Sequence, residues 1–348
     1  MTLRRHTNEY NFIADVSTGV TFRWGKTLEE DPARAPWPEL ADISISNHCS
    51  NNCSYCYRNS TINNSFMSVS DYEFVLEQLA HPAHGNVFQV ALGGGEPLEH
   101  PDFLKILDVT RQHRIIANFT TNALLLSESL IDSFRDDTGA VAVSVTSFDA
   151  HTLSNLRMLV NRGVRTNIHF ILAHDTIGIA SSLLQGKYDE KLHGINAIVF
   201  LTYKSTGRAE AERCIKPGTE LDNFLGFVSS PKTVLRFGFD ACMVPLLLYS
   251  TTILPEFVDS CECAFFSVYI DEMLNVKPCS FSNEYSYTFN LKEYPFQYIW
   301  ETGFEPYRKR MLQKACKLDC LNSTHCRGNC IFFPELALCS PSIQRGNT

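Results

Sequence analysis

Cys49, Cys53 and Cys56 stand close enough along the chain for one short loop to turn all three thiolates toward a single metal. A zinc tetrahedron and an iron-sulfur cube each take four ligands, so three thiolates leave one position to fill. Either a further side chain such as His48 completes a zinc knuckle, or one iron is left open to a small molecule. Nine more cysteines follow at Cys242, Cys261, Cys263, Cys279, Cys316, Cys320, Cys326, Cys330 and Cys339. The last five, spaced Cys316-x3-Cys320-x5-Cys326-x3-Cys330 and then Cys339, exceed the four sites of one tetrahedral metal. The nine suffice for two four-cysteine clusters with one left over, and one or two structural zincs are the plainer alternative. Cys214 belongs to neither group.

The elements that must carry these residues follow from hydrophobic patterning. Residues 1–40 read as a preamble with a hairpin, 10–14 against 20–24, turned at Ser17-Thr18-Gly19. From 41 to 230, β-rich runs alternate with amphipathic stretches, the mark of βα units on a parallel sheet. Strands are expected at 42–46, 87–92, 114–119, 140–145, 165–172 and 197–202. Helices are expected at 70–79, opened by a Ser70-x-x-Glu73 capping box, then at 102–112, 127–134, 151–161 and, more loosely, 220–227. Six βα units are too few for a closed eight-stranded barrel, so the fold class is α/β with an open, partial (β/α)6 TIM-like barrel. Residues 231–340 form the cysteine-rich module, and 341–348 a disordered tail. The first cysteine loop then sits at the carboxyl end of the first barrel strand, where α/β folds keep their chemistry.

Composition narrows the partners. The 348 residues hold 30 Lys and Arg against 38 Asp and Glu, a formal net charge of -8, with no basic run longer than two. Nucleic acid is therefore not an expected partner. The most apolar stretch, 244–255, contains Ser250, Thr251 and Thr252, so no membrane span is expected, and the opening residues lack the apolar core of a signal peptide. That reads as a cytoplasmic protein, in which clustered cysteine points to metal before disulfide.

The spacing Cys49-x3-Cys53-x2-Cys56, with the aromatic Tyr55 before the last cysteine, resembles the signature of radical S-adenosylmethionine enzymes. The resemblance implies a [4Fe-4S] cluster whose open iron is chelated by S-adenosylmethionine, which is cleaved to a 5'-deoxyadenosyl radical. Further motifs fall at successive strand ends. Gly93-Gly94-Gly95-Glu96-Pro97 resembles the family's Gly-Gly-Glu, which implies that Gly94, Gly95 and Glu96 meet the methionine amino group; Thr121-Asn122 resembles the Thr-Asn of the same pocket. Ser144 resembles a ribose- or carboxylate-contacting serine, Thr202 lies where adenine is expected, and Gly207-Arg208-Ala209 resembles a Gly-Arg-Ala turn. A turn at 93–97 and a self-satisfied strand serine are the bland readings. The chain departs from many relatives after Ser144, where Thr146-Ser147-Phe148-Asp149 runs straight into a helix instead of a longer loop.

The C-terminal cysteines resemble a SPASM extension, which implies two auxiliary [4Fe-4S] clusters. Carried over by residue, Cys261, Cys279 and Cys330 would hold the first, and Cys316, Cys320, Cys326 and Cys339 the second. Cys242 and Cys263 compete for the fourth place in the first; Cys242 is favoured on the expectation that Cys263 points the opposite way from Cys261 on a strand. This chain departs from the pattern in carrying Leu274 where relatives have glycine and three residues, not two, in the first interval. Cys214 is a buried incidental thiol, or a hydrogen-atom donor to a substrate radical. Relatives of this type mostly modify peptides or proteins, so crosslinking or oxidation in ribosomal peptide maturation is expected. Epimerisation through a cysteine donor, dehydrogenation of an aminoglycoside-like sugar, and a non-enzymatic electron carrier are the alternatives. Implied partners are a peptide or protein substrate and an electron donor such as ferredoxin or flavodoxin. The preamble is too short for the leader-recognition domain with which many such relatives begin, so a separate leader-recognition protein, leader docking on the hairpin, and a leader-independent substrate are the open alternatives.

Overall fold

The computed structural model describes residues 2–15, 18–313, 326 and 328–339. Cys316, Cys320 and the expected tail lie outside them.

Strands β1 (Thr2–His6), β2 (Asn11–Asp15) and β3 (Thr21–Trp24) make a small antiparallel sheet. The expected hairpin is β2–β3. β1 joins it unforeseen because its charged residues hide the strand pattern; Arg5 is buried and donates to the carbonyls of Trp37 and Pro38 at 2.8 and 3.0 Å.

The main sheet begins with β4 (Leu40–Ser46) and continues through β5 (Gln89–Gly94), β6 (Ile116–Thr121), β7 (Val141–Val145), β8 (Thr166–Leu172), β9 (Ala197–Thr202) and β10 (Phe237–Phe239), each parallel to its neighbour. Helices α1 (Val69–Gln78), α2 (Phe103–Gln112), α3 (Glu128–Phe134), α4 (Ala150–Asn161), α5 (Ile177–Leu184) and α6 (Thr219–Ser229) connect them. Each strand is two-faced. On β8, Ile168, Phe170 and Leu172 are fully buried, while Asn167 and His169 line a cavity of about 1060 Å³ shared with Gln89, Asn118 and Thr120. This alternation bends an open sheet around a polar lumen, with the apolar face under the helices.

Local chemistry corrects some boundaries. Helix α1 is capped by Ser68, whose hydroxyl accepts from the Asp71 amide at 3.0 Å, so the expected Ser70 box lies inside the helix. Helix α5 was not expected, since its apolar run Ile177-Gly178-Ile179-Ala180 shows no clean stripe. The βα rhythm stops after residue 230, but the sheet does not. β10 extends it before α7 (Val244–Ser250), and β11 (Ser267–Ile270) pairs parallel with β4, followed by β12 (Asn275–Lys277) and β13 (Phe289–Asn290). The barrel and the cysteine-rich region therefore share one ten-stranded sheet.

Candidate active site at the carboxyl end of the sheet

Cys49, Cys53 and Cys56 occupy the loop between β4 and α1, all partly exposed. The loop is held from several sides. The Cys49 amide donates to Thr61 at 3.1 Å, and the Ser50 amide to the Glu99 carboxylate at 2.9 Å. Arg208 supplies the strongest tie: its Nε donates to the Cys53 carbonyl, its Nη1 to that of Ser60, and its own amide to that of Cys56, each at 2.9 Å. Gly207 makes this approach possible. Its φ of 65° is left-handed, and a Cβ there would run into the carbonyl oxygens of Cys56 and Tyr57. The Asn51 side-chain Nδ2 donates to Cys53 Sγ at 3.2 Å. His48 turns elsewhere: its Nε2 lies 3.2 Å from Glu99, and its ring packs on Phe66.

The glycines after β5 accommodate protein. A Cβ on Gly94 or Gly95 would collide with the carbonyls of Ser46 and His48, and the Gly95 and Glu96 amides bond to those same oxygens at 2.6 and 2.9 Å. The Glu96 carboxylate is buried and accepts from Thr121 Oγ1 and the Asn122 amide, each at 2.7 Å, and from the Leu98 amide at 3.1 Å. It thus rivets the end of β5 to the end of β6, and burial pushes its pKa up to about 7. Asn122 accepts from the Leu124 amide at 2.9 Å through its own side chain. Ser144, level with His169, is partly exposed, and its hydroxyl makes no hydrogen bond among the described residues.

Thr202 ends β9 engaged with Asp240, which accepts from its hydroxyl at 2.6 Å and its amide at 3.1 Å. The same Asp240 pairs with buried Lys204 at 2.9 Å, and the Lys204 ammonium lies 4.5 Å over the Phe281 ring. Neither Asp240 nor Lys204 was expected from sequence. The only available signal was a lysine beside an otherwise apolar strand end. Tyr55 packs with Cys214, Ala173 and Tyr203, so the lone cysteine sits against the aromatic residue of the first cysteine loop. The Arg213 guanidinium lies 5.3 Å from the Tyr55 ring and 5.2 Å from that of Tyr203.

Five C-terminal cysteines come together. Cys242 hydrogen-bonds with Cys330, and Cys263 with both Cys261 and Cys279, while Cys261 also meets the Tyr307 hydroxyl. Lys204 and the backbone amides of Phe332 and Phe333 add to the Cys242 contact in holding the Cys330 thiol low. The expectation that Cys261 and Cys263 point apart fails because residues two apart share one face even on a strand, and 261–263 is in any case not a strand. The Glu262 carbonyl accepts from the amides of Phe265, Phe266 and Ser267, a tight turn that brings both thiols to one side. Cys326 and Cys339 are both partly exposed, and their expected partners Cys316 and Cys320 lie outside the described residues.

The Radical SAM superfamily model matches residues 43–172, from β4 to the end of β8. This segment belongs to the radical SAM superfamily. The curated PqqA peptide cyclase of Gluconobacter oxydans is 23% identical over 160 residues, 41% of this chain and 44% of that enzyme, so the match spans less than half of the relative. Streptococcus suis SuiB superposes with a TM-score of 0.71 at 14% identity, covering 95% of this chain and 94% of that one. SuiB bound to its precursor peptide SuiA gives 0.69 at 14% identity, covering 95% and 96%. The AdoMet-bound anSMEcpe gives 0.62 at 18% identity, covering 84% and 90%. The fold of these solved structures is therefore shared across both the barrel and the cysteine-rich region.

Proposed function

We propose that this radical SAM protein uses S-adenosylmethionine to abstract a hydrogen atom from a peptide or protein substrate and leave it oxidised or crosslinked. The observation that carries the reading is convergence: the three-cysteine loop, Gly94-Gly95, Asn122, Ser144, Thr202 and Arg208 all lie at one end of one sheet. The donor chemistry suits an iron-sulfur cube, since three thiols share one loop, the Asn51 side chain donates to one of them and His48 is engaged elsewhere. Ligand binding would have to draw the thiols together, because no three ligating groups are gathered around a metal position among the described residues. When bound, the cluster would supply the electron that cleaves S-adenosylmethionine to the 5'-deoxyadenosyl radical. The chain's own part is to hold that loop still through Arg208, to fix the ends of β5 and β6 through Glu96, and to offer the partner-free Ser144 hydroxyl to the ligand.

The five gathered thiols suit a first auxiliary cluster, for which Cys242 and Cys263 both stand within reach of the fourth place. The second set, Cys316, Cys320, Cys326 and Cys339, remains part of the same proposal. Such clusters would take the electron a substrate loses. A ferredoxin- or flavodoxin-like protein would supply the first electron. Support for a peptide substrate comes from the relatives, one named for cyclising PqqA and another solved with its precursor peptide. Among the described residues no helix is long and apolar enough to cross a membrane.

A triple Cys49→Ala, Cys53→Ala, Cys56→Ala variant tests the assignment. It should form no 5'-deoxyadenosine while retaining iron at the C-terminal sites, and about twelve irons per wild-type chain should fall to about eight. Persistent cleavage would refute the site. The contact of Cys214 with the Tyr55 and Tyr203 group favours one second reading, a thiol that returns a hydrogen atom to the substrate. Cys214→Ala separates the two: unchanged product mass and turnover fit oxidation, and lost product with continued cleavage fits epimerisation.

A further inference from the structure

The main sheet ends at two edge strands, β13 and β10, and β10 is the one that flanks a groove. β10 pairs with β9 alone, the Arg236 carbonyl accepting from Ile198 at 2.9 Å and the Asp240 amide donating to Phe200 at 3.0 Å. In a parallel strand alternate residues bond to opposite sides, so the N–H and C=O groups of Phe237 and Phe239 face outward. None of these four groups has a partner among the described residues. An open edge of this kind is a template for another extended chain.

Beside the edge runs a groove of about 660 Å³, bounded across from β10 by residues 253–262, the chain that leads into β11 on the far side of β4. The groove therefore lies between the β10 edge and the connection that leads into β11. Its floor is apolar, and Phe257 stands 79% exposed on its rim. One end is acidic. Arg23 is shared among Glu39, Asp259 and Glu262, at 3.1, 3.4 and 2.7 Å, and the Asp259 side chain is 74% exposed. At the other end Ala241 lines the groove next to Cys242, on the side of the sheet that carries the candidate active site.

We propose that this groove docks an extended segment of the peptide substrate, which adds to β10 as a further strand, sets an apolar side chain against Phe257 and places a Lys or Arg beside Asp259. The inference rests on the peptide reading above. Backbone pairing with Phe237 and Phe239 fixes the direction of the segment without demanding a sequence, and the apolar and acidic contacts select which segment enters. Because β10 runs parallel to the barrel strands, a chain laid along it is led to the end where the first cysteine loop lies.

A random dodecapeptide display library panned on the full chain yields the probe, and its tightest member, fluorescently labelled, is titrated by anisotropy. Binding should weaken at least tenfold in Phe257→Arg and in Asp259→Lys, both exposed positions that leave the core untouched. Val234→Asp, exposed but outside the groove, should bind as wild type. N-methylating the probe one residue at a time should weaken binding at alternate positions only. Equal affinity across all four proteins, or indifference to N-methylation throughout, overturns the proposal. A peptide substrate modified with the same KM by wild type, Phe257→Arg and Asp259→Lys would remove the docking track and leave peptide modification standing. Groove-dependent binding by an enzyme that modifies none of its bound peptides would instead refute the substrate reading.

Discussion

The Tyr57 ring lies 4.6 Å from the Phe281 ring, and its hydroxyl hydrogen-bonds with Ser280. Tyr57 follows Cys56 and Ser280 follows Cys279, so the two cysteine groups touch through residues adjacent to their ligands. Tyr57→Ala should destabilise the protein by about 3 kcal/mol, as large aromatic truncations do. Tyr57→Phe, which keeps the ring and loses one hydrogen bond, should cost about 1 kcal/mol. Urea unfolding of the purified chains measures both, and equal losses would deny the ring contact any weight.

Arg208→Lys should slow 5'-deoxyadenosine formation by about tenfold, in the range seen when groups behind a metal ligand are altered. A lysine cannot reach the carbonyls of Cys53 and Ser60 together. Iron content and fold should survive. Cleavage at the wild-type rate would show that the loop needs no such clamp.

His169 faces the lumen beside Thr120, 3.3 Å away, and burial lowers its pKa to about 4. The unfolded chain takes up this proton near the ordinary value of about 6.5 and the folded chain resists it. Stability from this group is therefore complete above about pH 6.5 and falls as pH drops toward 4, by at most about 1.4 kcal/mol per pH unit. His169→Gln should flatten that part of the stability profile; an unchanged acid slope would exclude His169 as its source.

Leu274 adopts a left-handed φ of 66° at the β11–β12 turn and is nevertheless 2% exposed. Leu274→Gly should relieve about 1–2 kcal/mol of backbone strain. It would also lose a buried leucine, worth about 2–5 kcal/mol on truncation. Net destabilisation is expected in thermal melts, and a more stable variant would show that strain dominates.

Much of the barrel is legible from residue types. The six expected strands fall within two residues of the observed β4 to β9, because apolar residues on their helix-facing sides alternate with polar residues on the lumen. The first cysteine loop is legible for the same reason, lying just after a strand. Contacts between distant segments are not. Nothing local announces that Asp240 will bind Thr202 and Lys204, nor that Leu274 can occupy a glycine's conformation because burial of its side chain compensates. Cys261 and Cys263 meet because residues two apart share a face under the period-two rule, and the turn at Glu262 brings both thiols to one side as well.

The parallel pairing of Ser267 with Leu40 has a consequence for how the protein is made. On the ribosome, β4 emerges early with β5 on one flank, and its other flank waits for β11 until every barrel strand has been synthesised. At roughly 5–20 residues per second, that wait lasts on the order of tens of seconds. Throughout it, the strand leading into the first cysteine loop remains an open edge, exposed to chaperones and to neighbouring nascent chains. A product truncated before residue 267 would carry the three-cysteine motif without the strand that flanks β4.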